Sequence, residues 1–454
     1  LLLSLGCTET PLPPPPAVAN PVPPDVVLVV IDTLRADRLG AYGGGATTSP
    51  SIDQMAAEGL RFDRAYAQSG WTLASFTSLF TGLLPHQHRV GRSPTDPDRF
   101  GRLPPARTTL AEVFQAQGYA TAAVANNTFL APEFGLHQGF DSYDWQGARN
   151  DAHRSADETV AAALAWLNAQ PGPAFVVVHM MEPHLDYLPP DWAVAAVGAP
   201  EAPQVPTPLT HEALKAAVDS GTLRTDGVDR EGILARYDAE IRVADRAVGT
   251  LRAGIAARGR PTLTVLTSDH GEEFWEHGAF EHGHSLHGEL VRVPLIATGP
   301  GLAVGTVSTV VQHLDVFQGL VATAGAARPP ETQGASVFAV AAATDVPDRV
   351  AIAENTLYGD PLVSIVDPKH RLVVNQRTQA GTLWAVAADG SELVRLEGPS
   401  AETEALRLRG VLARVRGGTL DPVEPELVTS IEDRETFLQL QSLGYLDVDP
   451  GETP

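Results

Sequence analysis

Residues 25–31 read DVVLVVI, and the unbroken apolar run that follows Asp25 decides the fold class. A strand that is apolar at every position is buried on both faces, as in a parallel sheet covered by helices on either side. Similar runs follow at residues 119–125, 174–179, 262–268 and 291–297. Helical periodicity between them, at residues 155–169 and 231–258, predicts an α/β domain with a mostly parallel central sheet sandwiched by helices.

Changes in composition divide the chain into three segments, residues 1–24, 25–325 and 326–454. The first is an apolar and then proline-rich leader, and the second is the large α/β domain. The third carries candidate strands at residues 349–354, 361–366, 371–376 and 382–387, and a candidate helix at 401–415. We therefore predict a small C-terminal antiparallel sheet subdomain with a covering helix and a tail.

The charge balance excludes one class of partner. The chain has 32 Lys and Arg against 55 Asp and Glu, a formal net charge of -23. A surface of this sign repels a phosphate backbone, so we predict no binding of nucleic acid. The single cysteine, Cys7, permits no internal disulfide. The composition gives no signal for an oligomeric state.

The N-terminal residues predict a compartment. Residues 1–7 read LLLSLGC, and the small Gly6 before Cys7 resembles the processing site of a bacterial lipoprotein. The prolines of residues 11–24 suit an extended tether. We expect a protein of the bacterial cell envelope, facing the periplasm or the outer membrane, whose contact with the membrane is a lipid on Cys7. The alternative is a buried apolar turn with an inert cysteine.

Polar residues follow two of the predicted strands at the point where each strand ends. Asp32 follows residues 25–31, and Asp269 and His270 follow residues 262–268. Ligands of open α/β sheets gather beyond the carboxyl ends of the strands. Each group alone fits a helix cap or a solvated loop. Together the two carboxylates and one imidazole suit a divalent cation such as zinc.

A third motif, SGWTLASFTSLFTG at residues 69–82, completes a pattern that resembles the sulfatase branch of the alkaline phosphatase superfamily. The Asp32 strand, the nucleophile helix and the SDHGE run at residues 268–272 occur in that family's order. The phrases DTLRAD at 32–37 and EPH at 182–184 add to the resemblance. It covers roughly residues 25–325, extends to the small C-terminal sheet, and implies a metal-dependent ester hydrolase.

The resemblance places Thr72 at the nucleophile position. Sulfatases have Cys or Ser there, oxidised to formylglycine, with Pro two and Arg four residues later, where this chain has Ala74 and Phe76. Threonine is the nucleophile in the family's phosphodiesterase and phosphoethanolamine-transferase branches, which favours a phosphate ester. Sulfatases also hold sulfate with lysines near the nucleophile, whereas the chain has none from Asp25 until Lys215.

Histidines are the remaining candidates to hold or protonate the ester. The family pattern in EHGHSLH at residues 281–287 best matches His284, and its neighbours are expected to lie around the site or on the surface. His184 is expected to hold an oxyanion or protonate the leaving oxygen. His179 either orients its loop or is a buried structural histidine. The proline-rich segment 187–208 predicts a long loop beside the active site.

The resemblance also implies the metal ligands. Thr33 stands where sulfatases commonly have a second metal-binding aspartate, which leaves Asp32, Thr72, Asp269 and His270. Four ligands favour one tetrahedral zinc ion over an oxygen-rich calcium site, with calcium and manganese as alternatives. A second metal would use Glu182, His184 and His284.

We therefore predict a metal-dependent hydrolase that cleaves phosphomono- or phosphodiesters through Thr72, with a small-molecule, glycan or lipid ester as substrate. One alternative is a sulfuric ester hydrolase that works without formylglycine. A second is a phosphoethanolamine-type transferase. The third is a non-catalytic lipoprotein that binds anions or glycans.

Overall fold

The computed structural model describes residues 23–45, 47–96, 99–147, 154–198, 200 and 202–429. The lipid-anchor prediction at Cys7 and the predicted tail beyond residue 429 lie outside these residues. Among the helices that the structure describes, every one falls short of the length and apolar character needed to span a bilayer.

Strands and helices alternate through the first 300 residues, and antiparallel strands dominate afterwards. The strands are β1 (Asp25–Ile31), β2 (Leu60–Tyr66), β3 (Phe100–Gly101), β4 (Ala120–Ala125), β5 (Ser142–Trp145), β6 (Ala174–Met180), β7 (Thr262–Ser268), β8 (Glu273–Phe274), β9 (Phe280–Glu281), β10 (Arg292–Thr298), β11 (Gly305–Val307), β12 (Val311–Gln312), β13 (Ala351–Glu354), β14 (Leu362–Val366), β15 (His370–Asn375), β16 (Gly381–Val386), β17 (Glu392–Leu396) and β18 (Val428–Thr429). The α-helices are α1 (Pro50–Glu58), α2 (Thr72–Thr81), α3 (Pro85–His88), α4 (Leu110–Ala116), α5 (Ala156–Asn168), α6 (Asp191–Val197), α7 (His211–Asp219), α8 (Gly227–Arg258), α9 (Gly288–Val291), α10 (His313–Thr323), α11 (Val337–Ala342) and α12 (Pro399–Val415).

The central sheet has the strand order β11-β2-β10-β7-β1-β6-β4-β5, with β12 also paired to β2. Strands β7, β1, β6, β4 and β5 are parallel, which confirms the predicted fold class. Strand β10 runs antiparallel to both of its neighbours. Its apolar run is as deeply buried as those of the parallel strands, so burial alone did not reveal its direction.

Both faces of the sheet are covered. Val26, Leu28 and Val30 of β1 belong to one apolar core, and the alternate residues Val27 and Val29 belong to the core on the opposite face. Side chains of a strand alternate between faces, so one fully apolar strand supplies two cores. This is the physical reason for the uninterrupted run that opens the domain.

The predicted second sheet is present as β13-β14-β15-β16-β17, antiparallel throughout. Helix α12 covers it through Leu408 and Leu412, which are fully buried against this sheet. The fifth strand, β17, was not predicted, because its Leu393 and Val394 are exposed and give no apolar alternation. The structure also differs in the segment 187–208, which holds α6, a helix too short to show periodicity in the sequence.

Candidate active site

The two polar groups that follow β1 and β7 meet at one edge of the sheet. The strands are adjacent and parallel with Ile31 opposite Ser268, so Asp32 and Asp269 leave the sheet side by side. The Nε2 atom of His270 lies 3.7 Å from Oδ1 of Asp32 and 3.4 Å from Oδ2 of Asp269. All three side chains are fully buried, and one ligand atom of each lies within 4.8 Å of the others.

The donor atoms of this group are suited to a cation. Oδ1 of Asp32 and Oδ2 of Asp269 are buried and accept no hydrogen bond within the described residues. Nδ1 of His270 donates to the carbonyl oxygen of Gly271 (2.9 Å), so Nε2 is presented to the carboxylates. A buried oxygen without a donor is costly unless a cation satisfies it. The residues therefore fit a divalent metal.

The electrostatics of the pair agree with this fit. Burial and the charge of Asp32 raise the pKa of Asp269 well above its ordinary value. Burial also opposes ionisation of Asp32, but the hydrogen bond from His179 and the nearby His184 hold its pKa below the ordinary range. Two carboxylates this close resist being ionised together unless a positive charge lies between them.

Thr72 is the first residue of α2, and its Oγ1 lies 3.4 Å from Nε2 of His270. The N-cap residue, Trp71, gives α2 no side-chain cap within the described part of the chain. Amide groups of an uncapped first turn attract negative charge. The structure therefore brings Thr72 together with Asp32, Asp269 and His270, beside a helix N-terminus. The catalytic and metal roles assigned to these residues stay predictions.

Asn127 belongs to the site and was missed from the sequence. Its Nδ2 donates to Oδ2 of Asp32 (2.8 Å) and lies 3.4 Å from Oγ1 of Thr72. Asn127 comes two residues after β4, a buried strand parallel to β6. The rule that pointed to Asp32, a polar residue at the carboxyl end of an apolar strand, would have found it.

His179 contacts the carboxylate of Asp32. The backbone N–H of Asn126 donates to Nδ1 of His179 (3.3 Å), so Nε2 carries the proton and faces Oδ2 of Asp32 at 3.2 Å. The imidazole is fully buried. The two roles predicted for His179 were to orient its loop and to be a buried structural histidine. The geometry adds a third role, the positioning of Asp32.

The histidine pair in the EHGHSLH segment is placed differently from the expectation. Nε2 of His284 lies 2.8 Å from Oε2 of Glu273. The ring of His282 lies 4.5 Å from the ring of His270 and 5.1 Å from that of His184, centroid to centroid. His282, which was expected to lie outside the centre, therefore lines it. The catalytic role predicted for His284 stays a prediction, and the contact of His282 with His270 makes His282 a second candidate for it.

Glu272 holds His282 in this position. Its Oε1 lies 2.9 Å from Nδ1 of His282, and its Oε2 accepts from the hydroxyl of Tyr187 (3.1 Å). Burial raises the pKa of Glu272 to about 8 and lowers that of His282 to about 3. With Nδ1 occupied by Glu272, the ring turns Nε2 away from that carboxylate. His184 is similar, since its Nδ1 donates to the carbonyl oxygen of Leu185 (2.5 Å).

The residues named for a second metal do not converge. Glu182, His184 and His284 are absent from the groups of described residues whose ligand atoms lie within 4.8 Å of one another. His284 contacts Glu273, and Oε1 of Glu182 accepts from the backbone N–H of Ala156 (2.9 Å). The site as described has one metal-binding group.

Comparisons with known proteins agree on one family. The family model "Sulfatase" matches residues 24–326. Bovine arylsulfatase A is 28% identical over 335 residues, which are 68% of this chain and 65% of that protein, so the chain spans somewhat under two thirds of it.

Two solved structures share the fold. One, solved in complex with its substrate D-glucosamine-2-N,6-O-disulfate, has a TM-score of 0.70, 18% identity, and coverage of 87% of this chain and 98% of its own. The other is the phosphonate monoester hydrolase of Agrobacterium radiobacter, with a TM-score of 0.68, 18% identity, and coverage of 87% and 95%. These two structures show the shared fold, and the family match over more than half of its length shows that this chain belongs to the sulfatase family.

Proposed function

We propose that the chain is a metal-dependent hydrolase of phosphate esters whose nucleophile is Thr72. The observation that carries the proposal is a threonine hydroxyl at the N-terminus of α2, 3.4 Å from His270, where the family's sulfatases have an oxidisable residue. Threonine has no route to formylglycine, so its own oxygen must attack. A phosphate ester suits this chemistry because water can displace the phosphate from threonine afterwards.

Asp32, Asp269 and His270 would hold the cation, with the hydroxyl of Thr72 beside them, and zinc suits this mixed oxygen and nitrogen set best. Bound there, it supplies Lewis-acid chemistry that polarises the ester and lowers the pKa of a neighbouring hydroxyl. The amide group of Asn127 positions Asp32 and Thr72 relative to each other, because its Nδ2 donates to both side chains. The amides of the first turn of α2 stabilise the charge that grows on the phosphoryl oxygens.

His282 and His184 are placed to pass a proton to the leaving oxygen. Because burial lowers the pKa of His282 to about 3 and raises that of Glu272 to about 8, His282 acts as a neutral imidazole that receives the proton of Glu272 on Nδ1 and donates from Nε2. The two rings meet edge to face, with centroids 5.1 Å apart and 67° between their planes, and each has its Nδ1 engaged by an oxygen atom. Attack by Thr72 forms one bond to phosphorus and breaks the bond to the alcohol, which must gain a proton. A general acid contributes typically 10²–10⁴-fold to such a step.

Replacing His282 tests this assignment against the sequence expectation. We expect His282→Ala to lower kcat about 100-fold, and His284→Ala to lower it less than about 10-fold. The loss in His282→Ala should shrink for esters whose leaving alcohol is acidic, because such an alcohol departs without a proton. Steady-state kinetics on aryl phosphates of graded leaving-group pKa measures both effects. A larger loss in His284→Ala would restore the original assignment.

A second candidate function is sulfate-ester hydrolysis, which the relatives favour, since bovine arylsulfatase A carries that activity in its name. A panel of aryl sulfates, aryl phosphomonoesters, phosphodiesters and phosphonate monoesters separates the two. We expect turnover of the phosphorus esters to exceed that of the sulfate by about 100-fold or more. The reverse order would reject the phosphate proposal. Added alcohol acceptors that speed up turnover would instead indicate a transferase.

We also propose that the protein is attached to the bacterial cell envelope by a lipid on Cys7, and that its substrate is a small-molecule, glycan or lipid ester met there. The proposal rests on residues 1–24 alone. In a bacterial host that processes lipoproteins, the protein should partition into the detergent phase of Triton X-114, and Cys7→Ser should move it to the aqueous phase. Equal partitioning of the two proteins would reject the anchor.

A further inference from the structure

A second group of metal-ligand side chains lies outside the active site, where the β7–β10 connection (residues 269–291) contacts the small sheet. His277 and His287 belong to this connection, and Glu392 begins β17. The ligand atoms of these three residues lie within 4.8 Å of one another. Glu289 lies beside this group and contacts one member of it, with its Oε1 3.2 Å from Nε2 of His277.

The two imidazoles converge on one carboxylate oxygen. Oε1 of Glu392 is 2.9 Å from Nδ1 of His287 and 3.9 Å from Nε2 of His277. The rings are stacked in parallel, with centroids 3.7 Å apart and 8° between their planes. Only the shorter of the two approaches is a hydrogen bond. A cation between the ring nitrogens and Oε1 would satisfy all three atoms together.

The carboxylate of Glu392 is oriented toward the histidines. The backbone N–H of Gly288 donates to Oε2 of Glu392 (2.7 Å), and Nε of Arg371 lies 2.9 Å from the same atom, so Oε1 is left to face the histidines. Oε1 of Glu289 is buried and accepts no hydrogen bond of acceptable geometry within the described residues. The side chains of Glu289 and Glu392 are both 7% exposed.

The surroundings are those of a structural metal site. Trp384 of β16 meets both rings edge-on, at 4.8 and 5.2 Å, and fixes their planes. The side chains of His277 and His287 are 19% and 16% exposed, so an ion can reach them from the solvent. In tetrahedral zinc sites the ligand atoms are separated by roughly 3.3 Å, given bonds of about 2.0–2.1 Å. The distances from Oε1 of Glu392 to the two ring nitrogens, 2.9 and 3.9 Å, bracket that value.

We propose that His277, His287 and Glu392 form a second zinc site, with its fourth position open to water and with a structural role: it fastens the β7–β10 connection to the small sheet. The same connection carries Asp269, His270, Glu272 and His282, so the ion would anchor the segment from which half of the active site is built. Glu392 and the neighbouring Glu289 balance the charge of the ion, and Arg371 orients Glu392. This second site is separate from the proposed hydrolysis, and its presence does not depend on which ester the enzyme cleaves.

Zinc content of the whole protein tests the proposal. After removal of metal and reconstitution with zinc followed by dialysis, we expect the wild type to retain one equivalent more than His277→Ala or His287→Ala. Zinc should raise the Tm of the metal-free wild type by about 2 °C or more, and this part of the rise should be smaller in both variants. His86→Ala is the matched control, because His86 pairs with Glu354 without a second histidine.

Cobalt(II) gives a second measurement, in which single substitutions separate the two sites. In Asp269→Asn, which removes the active-site group, added cobalt should still give the intense visible bands of a four-coordinate ion. In Glu392→Gln, a milder change than the histidine variants, the binding of cobalt to the second site should be at least 10-fold weaker. Equal zinc content in the wild type and both histidine variants would overturn the proposal. So would cobalt bands that vanish in Asp269→Asn alone.

Discussion

Thr72→Ala is expected to abolish turnover of aryl phosphate esters while leaving the metal content unchanged. The substitution removes the only atom proposed to attack phosphorus, and it leaves Asp32, Asp269 and His270 intact. A loss of roughly 10³-fold or more in kcat, about 4 kcal/mol of transition-state stabilisation, is expected for a missing nucleophile. The measurement is kcat with elemental analysis of the same sample.

The chain offers a matched control on the same helix. Thr77 is also buried in α2, but its hydroxyl donates to the carbonyl oxygen of Leu73 (2.7 Å). Thr77→Ala should therefore retain activity within about 10-fold. A second readout is the covalent intermediate: mass spectrometry of quenched wild-type enzyme should find phosphate on Thr72. Full activity in Thr72→Ala would refute the nucleophile and, with it, the proposed function.

The sequence predicted the centre of the sheet better than its edge. Strands β1 and β7 have the predicted bounds. β1 is apolar from Val26 onward, and β7 combines apolar residues with threonine, a residue that also favours strands, so both runs differ clearly from the polar residues around them. Strand β2 was not predicted, since it reads LRFDRAY and its charged residues mask a strand that pairs with β10 and β11. One of these charged residues, Arg64, donates to the carbonyl oxygens of Ala387 and Ala388, which lie in the turn between β16 and β17 of the small sheet.

The choice between His282 and His284 shows what single-chain patterns do not contain. The two histidines lie two residues apart in one segment. Of two adjacent glutamates, Glu272 contacts His282 and Glu273 contacts His284. The register of the short β8–β9 pair, with Glu273 opposite Glu281, decides which glutamate meets which histidine. That register is a tertiary property. Asn127, by contrast, was within reach of the strand-end rule.

Asp269→Asn is expected to remove the metal from the active site and the activity with it. Oδ1 of Asp269 accepts from the backbone N–H groups of His270 (3.0 Å) and Thr33 (3.3 Å), and an asparagine carbonyl can keep both bonds. The Oδ2 position, which faces His270, becomes an uncharged N–H₂ group that cannot bind a cation. We expect the metal content to fall by one equivalent and kcat to fall at least 100-fold.

Without metal, Asp269→Asn should be more stable than the wild type. Burial and Asp32 raise the pKa of Asp269, so without metal its contribution to stability is present at low pH and is lost as pH rises. Asparagine does not ionise, so metal-free Asp269→Asn should exceed the metal-free wild type by about 1–3 kcal/mol in free energy of unfolding near pH 8, with the difference shrinking near pH 4.

The control is Asp245→Asn, which alters another fully buried aspartate, on α8, whose carboxylate accepts from the backbone of Ile52. Its metal content should equal that of the wild type. Urea unfolding with and without chelator measures both orders. If Asp269→Asn kept its full complement of metal, the two buried carboxylates would be a structural pair and the cation would lie elsewhere. If it lost metal without gaining stability in the metal-free state, the repulsion between Asp32 and Asp269 would not be the reason that a cation is needed there.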